Sequence, residues 1–300
     1  KSMPRCCCWR FGLSTFGWCC CCCTVPKSSD TLPLLDVERK MPVTYESLTI
    51  NEIYVNKSYL RLKNKSSPKK SRIRIVTTSD THMHHSMMRM PPGDILILAG
   101  DFTNWKTTKD NQQSVLLWLA NLKQYKYKIV ISGNHEVGIN ENKPQETKKL
   151  FKENADTIYL QDDYYEAFGL KFYGTPWHPK RGCLFHAEAF AKPIKDLKQI
   201  YAKIPNDTDF LISHVPPYGI RDKEAAGNVG SDALLYASRD RIQPIMHVFG
   251  HVHGSNGISY IKGSDTVYVN TATRVNVFDV VFYGDIINNK DIDDYKIEEI

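Results

Sequence analysis

The chain has 300 residues, of which 42% are hydrophobic and 24% are charged. This ordinary globular composition excludes wholesale disorder as well as collagen-like and coiled-coil architectures. The net charge of +6 is unevenly placed, because residues 1–72 carry +8 and residues 73–300 carry −2. The body of the chain therefore does not have the basic character typical of nucleic-acid-binding proteins, and we expect no nucleic-acid partner.

Composition divides the chain into four regions. Residues 1–40 are a Cys-rich leader and linker that we expect to be disordered, 41–71 are an N-terminal extension, 72–284 are a folded domain, and 285–300 are an acidic tail. Eight of the nine cysteines lie at positions 6–8 and 19–23. A single cysteine in the body, Cys183, indicates a reducing compartment and therefore a cytoplasmic location.

The residue types of the leader lead to a separate hypothesis about membrane contact. Its cysteines alternate with Trp9, Phe11, Phe16 and Trp18, which favour a membrane interface. Clustered cysteines beside such residues are candidates for S-palmitoylation, so membrane contact through acylated cysteines is one interpretation. A gene-model artefact and a metal-binding cysteine tract remain alternatives. The sequence leaves the oligomeric state open.

The elements of the body follow from apolar periodicity. One or two strands are predicted within 43–65. Further strands are predicted at 72–77, 94–99, 128–132, 209–213, 246–249, 267–271 and 275–282, helices at 112–122, 144–154, 186–202 and 231–241, and a hairpin at 164–175. Strands that alternate with helices indicate an α/β fold in which stacked sheets are covered by helices.

Polar clusters follow five of these apolar runs. They are Asp80-Thr81-His82, Gly100-Asp101, Gly133-Asn134-His135-Glu136, Ser213-His214 and Gly250-His251-Val252-His253. Each cluster alone is weak evidence, because a single histidine after a strand is more often a loop or core residue. Five clusters at strand ends, where α/β sheets gather their sites, predict one shared site.

The residue types of these clusters indicate metal chemistry. Two Asp, one Asn and four His offer oxygen and imidazole ligands to transition metals, and the clusters contain no thiol, which disfavours a structural zinc site. Seven ligands suit two metal ions better than one, since a single Asp101 can bridge. Two ions about 3.5–4 Å apart can clamp a phosphate and acidify a bridging water.

Three further residues are candidates for substrate binding. Trp177 could form an aromatic wall for a base, although packing is the commoner use of such a residue. Tyr218 follows the stiff Pro216-Pro217 turn and could reach the cleft. Arg221 could pair with a phosphate or form a salt bridge to Asp222 or Glu224.

The remaining histidines are not predicted to bind metal. His84 and His85 are expected to face solvent or the rim of the cleft. His186 is expected to lie on a helix, and His247 in the core. His178 also stays outside the predicted ligand set.

The ordered set DxH, GD, GNH[DE], H and GHxH over residues 72–283 resembles the calcineurin-like metallophosphoesterase family. The segments SDTH, MPPGDILILAGDFT, YKIVISGNHE, YGTPW, SHVPPYGIRD and VNTAT are similar to its animal branch of metallophosphoesterase domain-containing proteins. The resemblance implies a two-sheet β-sandwich flanked by α-helices. Some relatives in this branch carry Gly where this chain has His251.

The resemblance also implies roles for individual residues. The first metal would be held by Asp80, His82, Asp101 and His253, and the second by Asp101, Asn134, His214 and His251. His135 would not bind metal but would lie against the phosphate, where it would protonate the leaving alkoxide or stabilise its charge. The metals would be manganese, iron or zinc.

The function implied is a dinuclear metal-dependent phosphohydrolase in which a metal-bridged hydroxide attacks phosphorus. A small phosphodiester is the expected substrate, with cyclic nucleotides favoured. A phosphomonoesterase or protein phosphatase on the same fold, and a metal-binding scaffold with vestigial activity, are the alternatives.

Overall fold

The computed structural model describes residues 43–45, 48–54, 70–104, 108–180, 188–225, 227–261 and 264–283. The Cys-rich leader, the acidic tail, Cys183 and His186 lie outside the described residues, and so do the predictions of disorder, acylation and helix position that concern them. Within the described ranges, no helix is both long enough and apolar enough to cross a membrane.

The described residues form two large sheets, two short strand pairs and four α-helices. In chain order the strands are β1 Val43–Tyr45, β2 Leu48–Tyr54, β3 Lys70–Thr78, β4 Ile95–Ala99, β5 Tyr127–Ile131, β6 Ile158–Tyr159, β7 Asp163–Ala167, β8 Leu170–Thr175, β9 His178–Pro179, β10 Ala191–Lys192, β11 Phe210–Ser213, β12 Lys223–Glu224, β13 Gly227–Asn228, β14 Met246–Phe249, β15 Gly257–Tyr260, β16 Val267–Asn270 and β17 Asn276–Tyr283. The helices are α1 Lys109–Asn121, α2 Pro144–Ala155, α3 Ile194–Ala202 and α4 Asp232–Leu235, which continues as a π-helix over Tyr236–Ile242, and two 3₁₀ turns lie at His84–Met87 and His253–Ser255.

The first large sheet (sheet 1) has the order β1-β2-β17-β3-β4-β5-β6, and the second (sheet 2) has the order β15-β16-β14-β11-β8-β7. Strands β3, β4 and β5 are parallel in sheet 1, and β8, β11, β14 and β16 are parallel in sheet 2. Strand β2 pairs with β17, so strands from the predicted N-terminal extension belong to the same sheet as the main domain.

Alternating side chains explain how the sheets stack. Ile95 and Ile97 of β4 join a cluster that contains apolar residues of both sheets, whereas Leu96 and Leu98 join a cluster that contains the buried faces of the helices. Strands that are buried on both faces read as continuous apolar runs, as these do. The predicted fold, two sheets flanked by helices, is therefore confirmed.

One predicted helix was too long. The prediction placed a helix over 186–202, but α3 begins at Ile194. Ala191 and Lys192 instead pair with His178 and Pro179 as short strands. Pro193 explains the boundary, because it is extended at ψ 144° and the residue before a proline is disfavoured in the helical region.

The topology sets the position of the five polar clusters. Parallel strands end at the same edge of a sheet, so the loops after β3, β4 and β5 lie together at one edge of sheet 1. The loops after β11 and β14 lie together in sheet 2 for the same reason. The two sets of loops meet at this end of the sandwich, as the contacts between their side chains show.

Candidate metal centre

The structure brings the predicted ligands together. Three groups of side chains each hold ligand atoms that lie within 4.8 Å of one another. They are Asp80 with His82 and His253, Asp101 with His214 and His251, and His82 with Asp101 and His135. Asn134 joins the second group, because its Oδ1 lies 2.9 Å from Nε2 of His214 and 2.9 Å from Nδ1 of His251.

The first group is centred on Asp80. Its Oδ1 lies 3.3 Å from Nε2 of His253 and 4.0 Å from Nε2 of His82. The two Nε2 atoms lie 3.2 Å apart. The other carboxylate oxygen accepts hydrogen bonds from the Ser79 hydroxyl and the His251 backbone N–H. Asp80 is thus oriented by the neighbouring loops while one oxygen faces the imidazoles.

Two of the histidines have a tautomer set by the backbone. Nδ1 of His82 faces the carbonyl of Thr103 at 3.3 Å, and Nδ1 of His214 faces the carbonyl of Ala99 at 2.9 Å. A nitrogen that faces a carbonyl carries the proton, so Nε2 is left as the lone-pair donor. This arrangement is the usual way in which a protein orients a metal-binding imidazole.

The backbone of the site is strained. Asp80 (φ 53°), His82 (φ 41°), Asp101 (φ 50°) and His251 (φ 70°) all lie in the left-handed region. That conformation costs a non-glycine residue on the order of 1–3 kcal/mol and is found mainly where function requires it. The strain bends the chain sharply after each strand and turns these side chains towards one point.

Two glycines allow the loops to approach closely. A Cβ atom on Gly133 would lie 2.3 Å from Oδ1 of Asp101, and one on Gly250 would lie 2.2 Å from Oδ2 of Asp80. Both positions therefore exclude any side chain.

Asp101 and His214 form the most buried charged pair of the site. Oδ2 of Asp101 lies 3.3 Å from Nε2 of His214, and both side chains are almost fully buried. Burial alone would raise the pKa of Asp101, but His214 outweighs it and holds the pKa well below its usual range. Conversely, burial alone would lower the pKa of His214, but Asp101 raises it to about 10. A metal ion held by His214 would therefore displace a proton.

Sequence reasoning missed the role of Glu136. This fully buried carboxylate accepts hydrogen bonds from the backbone N–H groups of Asp101 (2.9 Å), Thr103 (2.9 Å) and Gly133 (2.6 Å), and from the Thr103 hydroxyl. Burial, followed by the nearby charge of Asp101, raises the pKa of Glu136 to about 7. The signal in the sequence was an acidic residue three positions after Gly133, next to a metal-binding motif.

His135 lies beside the ligands. Its backbone N–H donates to Oδ1 of Asp101 at 2.9 Å, and its Nε2 lies 3.8 Å from Oδ2 of the same carboxylate. Its ring packs edge-on against His82 with centroids 4.6 Å apart. Burial lowers the pKa of His135 from its ordinary value, although Asp101 opposes the shift.

The three candidates for substrate binding lie in different environments. Trp177 is buried, and its Nε1 donates to Asp162 at 2.5 Å, so this ring packs in the core beside Phe190. Tyr218 is half-buried in the loop after β11.

Arg221 has partners that the sequence did not predict. Its guanidinium donates to the Ser259 hydroxyl and to a nearby backbone carbonyl. Asp222, one of the predicted salt-bridge partners, accepts hydrogen bonds from two glycine N–H groups.

The remaining histidines separate into two kinds. His84 is exposed as expected, but His85 is buried and contacts Ser114 and the Trp118 ring. His247 is a core residue, as predicted. His178 is buried, with Nε2 2.8 Å from the Ala189 carbonyl, and burial lowers its pKa to about 4.

The residues present fit a metal site. Asp80 Oδ1 is buried, yet it forms no hydrogen bond within the part of the chain that the structure describes. Imidazole nitrogens face each other and the carboxylates at distances that a shared cation would bridge. Carboxylate, amide oxygen and imidazole form a donor set suited to divalent transition metals. The clusters therefore constitute a divalent metal-binding site.

Comparison with known proteins agrees with this geometry. Residues 73–255 match the family model for calcineurin-like phosphoesterase. A UPF0046 protein of Caenorhabditis elegans is 35% identical over 222 residues, which cover 67% of this chain and 75% of that protein. Metallophosphoesterase domain-containing protein 1 of Homo sapiens is 34% identical over 225 residues, which cover 66% of this chain and 65% of that protein.

A likeness to a solved crystal structure supports the fold alone. It has a TM-score of 0.51 at 12% identity and covers 70% of this chain and 95% of that one. The family match spans more than half of the chain and contains all the predicted ligands. The family implies a metal-dependent hydrolase of phosphoric esters with a small-molecule substrate. The resemblance inferred from the motifs is thus confirmed, and the chain belongs to the calcineurin-like phosphoesterase family.

Proposed function

We propose that this protein is a dinuclear metal-dependent phosphodiesterase that acts on small phosphodiesters, with cyclic nucleotides as the favoured class. The observation that carries the proposal is the position of Asp101, whose carboxylate belongs to two of the three ligand groups. In this proposal Asp80, His82, Asp101 and His253 hold one ion, and Asp101, Asn134, His214 and His251 hold the other. Manganese, iron and zinc all suit this donor set.

The chemistry divides between the metals and the protein. Two bound ions would neutralise the phosphate oxygens and acidify the attacking water. The chain's contribution is a preorganised set of side chains, since the ligand loops are strained and pinned by hydrogen bonds before substrate arrives. Electrostatic stabilisation of this kind costs no reorganisation during the reaction.

His135 is the proposed general acid. Its backbone is fixed by the bond to Asp101, whereas its ring lies at the edge of the ligand cluster. Burial lowers its pKa, which favours the neutral imidazole before substrate binds. An anionic phosphate beside the ring would raise the pKa, and the protonated ring could then donate to the leaving alkoxide.

The choice of a phosphodiester substrate rests on the resemblance to the animal branch of the family. A phosphomonoesterase, a protein phosphatase and a scaffold with vestigial activity would share this fold. The complete ligand set and the presence of His135 support a working enzyme over a scaffold.

Turnover of model esters tests the proposal. Purified protein with added manganese should hydrolyse bis(nitrophenyl) phosphate faster than nitrophenyl phosphate, and cyclic nucleotides should compete with the diester. Faster turnover of the monoester would favour the phosphomonoesterase or protein phosphatase. The absence of turnover for both esters, in protein that binds manganese, would favour the scaffold.

A further inference from the structure

Arg221, one of the residues that could have contacted substrate, has its guanidinium in another role. Nε donates to the Ser259 hydroxyl at 2.7 Å, and the two terminal nitrogens face the carbonyls of Asn256 (3.3 Å) and Ile258 (2.5 Å). All three acceptors belong to the segment that follows His253. We propose that Arg221 is a positioning residue that holds the His253 loop at the metal site, and not a phosphate contact; this inference rests on the proposed metal centre.

The His253 loop needs such support because packing restrains it less than its neighbours. The His253 side chain is 37% exposed, whereas the side chains of Asp80 and His214 are 0% exposed. A ligand on a solvent-facing loop pays conformational entropy when it is ordered. Bonds that fix the loop backbone in advance reduce that cost.

The backbone bonds around Arg221 complete a clamp between two loops. Nδ2 of the buried Asn270 donates to the carbonyl of Arg221 and to that of Val252, both at 3.0 Å. Val252 lies between His251 and His253, so the clamp reaches both ligands. The Ser255 hydroxyl also donates to the Lys223 carbonyl across the same pair of loops.

Local geometry reserves space for the guanidinium. Gly257 lies at φ 129°, and a Cβ atom there would lie 3.0 Å from an Arg221 terminal nitrogen. Asn256 extends the chain of bonds to the ligand, because its Nδ2 donates to the His253 carbonyl at 3.0 Å while its own carbonyl faces Arg221. Each of the three guanidinium nitrogens of Arg221 therefore donates to the loop that follows His253.

Lysine and methionine variants separate positioning from phosphate binding. A lysine keeps the positive charge but cannot reproduce a planar fork of donors. If Arg221 positions the loop, Arg221→Lys and Arg221→Met should both weaken manganese binding to the chelated protein, by about 10–100-fold as for other outer-shell partners. Turnover of the aryl diester should lose kcat, with KM little changed.

Phosphate binding by Arg221 predicts the opposite pattern. Manganese affinity would stay unchanged, Arg221→Met would raise KM, and Arg221→Lys would retain most of the wild-type KM. That pattern would overturn the proposal. Arg239→Lys is the matched control, because Arg239 bonds Asp240 on the surface and should tolerate the same change without loss of manganese affinity.

Two further measurements keep the inference testable on its own. If Arg221→Met does not fold, Ser259→Ala removes one bond of the clamp and should still weaken manganese binding, whereas unchanged affinity overturns the proposal. Hydrogen exchange of residues 252–260 in metal-free protein should be faster in Arg221→Lys than in wild type, and equal exchange overturns the clamp. A wild type that binds no manganese contradicts the proposed function, and hydrogen exchange then decides the clamp by itself.

Discussion

The two halves of the metal site are held in place by different means. We call the loops after β3, β4 and β5, which carry Asp80, His82, Asp101 and Asn134, the sheet-1 half. The loops after β11 and β14, which carry His214, His251 and His253, are the sheet-2 half. Asp101 lies at the junction, because it contacts His214 across the sandwich.

The sheet-1 half is fastened from within its own motif. Glu136 follows Asn134 by two residues and accepts bonds from the loops of Asp101 and Gly133. The sheet-2 half is fastened from outside the motifs that carry its ligands, by Arg221 in the loop after β11 and by Asn270 at the end of β16. A buried carboxylate with four donors should be harder to replace than a half-exposed guanidinium.

The largest effect is expected where the halves join. Asp101→Asn keeps the size of the side chain but removes the carboxylate charge that two of the three ligand groups contain. We expect loss of both metal ions and loss of activity to background. Metal content after dialysis against manganese measures the first, and ester turnover the second. Asp163→Asn, on a distant strand, is the control, and full metal content in Asp101→Asn would contradict a shared ligand.

His135 is the proposed general acid and belongs to neither set of fastening bonds. His135→Ala should keep its metal but lose about 10²–10⁴-fold in rate with a poor leaving group, which is the usual worth of a positioned acid. The loss should be much smaller for nitrophenyl esters, because nitrophenolate needs no proton. An equal loss for good and poor leaving groups would remove the general-acid role.

Because Glu136 fastens the loops of the sheet-1 half, its replacement should lower the stability of the protein. The two carboxylate oxygens of Glu136 accept four hydrogen bonds, whereas Glu136→Gln has only one acceptor oxygen for the same four donors. Buried donors left without acceptors should destabilise the protein by about 2–4 kcal/mol. Urea unfolding of metal-free protein measures this, with Glu153→Gln in an exposed helical pair as the control. Equal stability of the two variants would show that Glu136 does not fasten the loops.

The sheet-2 half stores strain that a glycine would release. His251 lies at φ 70°, so His251→Gly relaxes the backbone while His251→Ala retains the strain. Both variants lose the same imidazole and should bind the second metal weakly. The glycine variant should be more stable than the alanine variant by about 1 kcal/mol, as measured by urea unfolding of metal-free protein. Equal stability would show that this conformation is not strained.

An effect of similar size is expected from the pH dependence of His247, which lies in strand β14 of sheet 2. Burial lowers the pKa of His247 to about 3, from an ordinary value of 6.5. As pH falls below 6.5, His247 becomes protonated in the unfolded chain but stays neutral in the folded protein. The free energy of unfolding is therefore highest above this pH and falls progressively towards pH 3. Between pH 7.5 and 5.5 this group should cost about 1.4 kcal/mol.

His247→Gln isolates that contribution. Nε2 of His247 faces the Ser213 hydroxyl at 2.9 Å, and a glutamine amide can replace this bond without titrating. The stability of wild type should therefore fall more steeply with acid than that of the variant. Urea unfolding of the metal-free proteins at several pH values measures this. If the free energy of unfolding has the same pH dependence in both proteins, the pKa of His247 is not lowered in the folded state.

Local patterns in the sequence determined much of the fold and the identity of the site. Apolar runs such as 94–99 predicted strands within one or two residues, because burial on both faces leaves an unmistakable pattern. The polar clusters at the strand ends predicted which residues gather, since parallel strands share an edge. The motif order then identified the family.

Tertiary structure decided what depended on contacts between distant segments. No local pattern shows that Arg221 reaches Ser259, so phosphate binding and a salt bridge were both reasonable predictions for it. Likewise, α3 begins late because Ala191 pairs with His178, and His85 is buried because α1 packs over it. Periodicity records how much of a residue is buried, whereas the partner of a polar group depends on which loops the fold brings together.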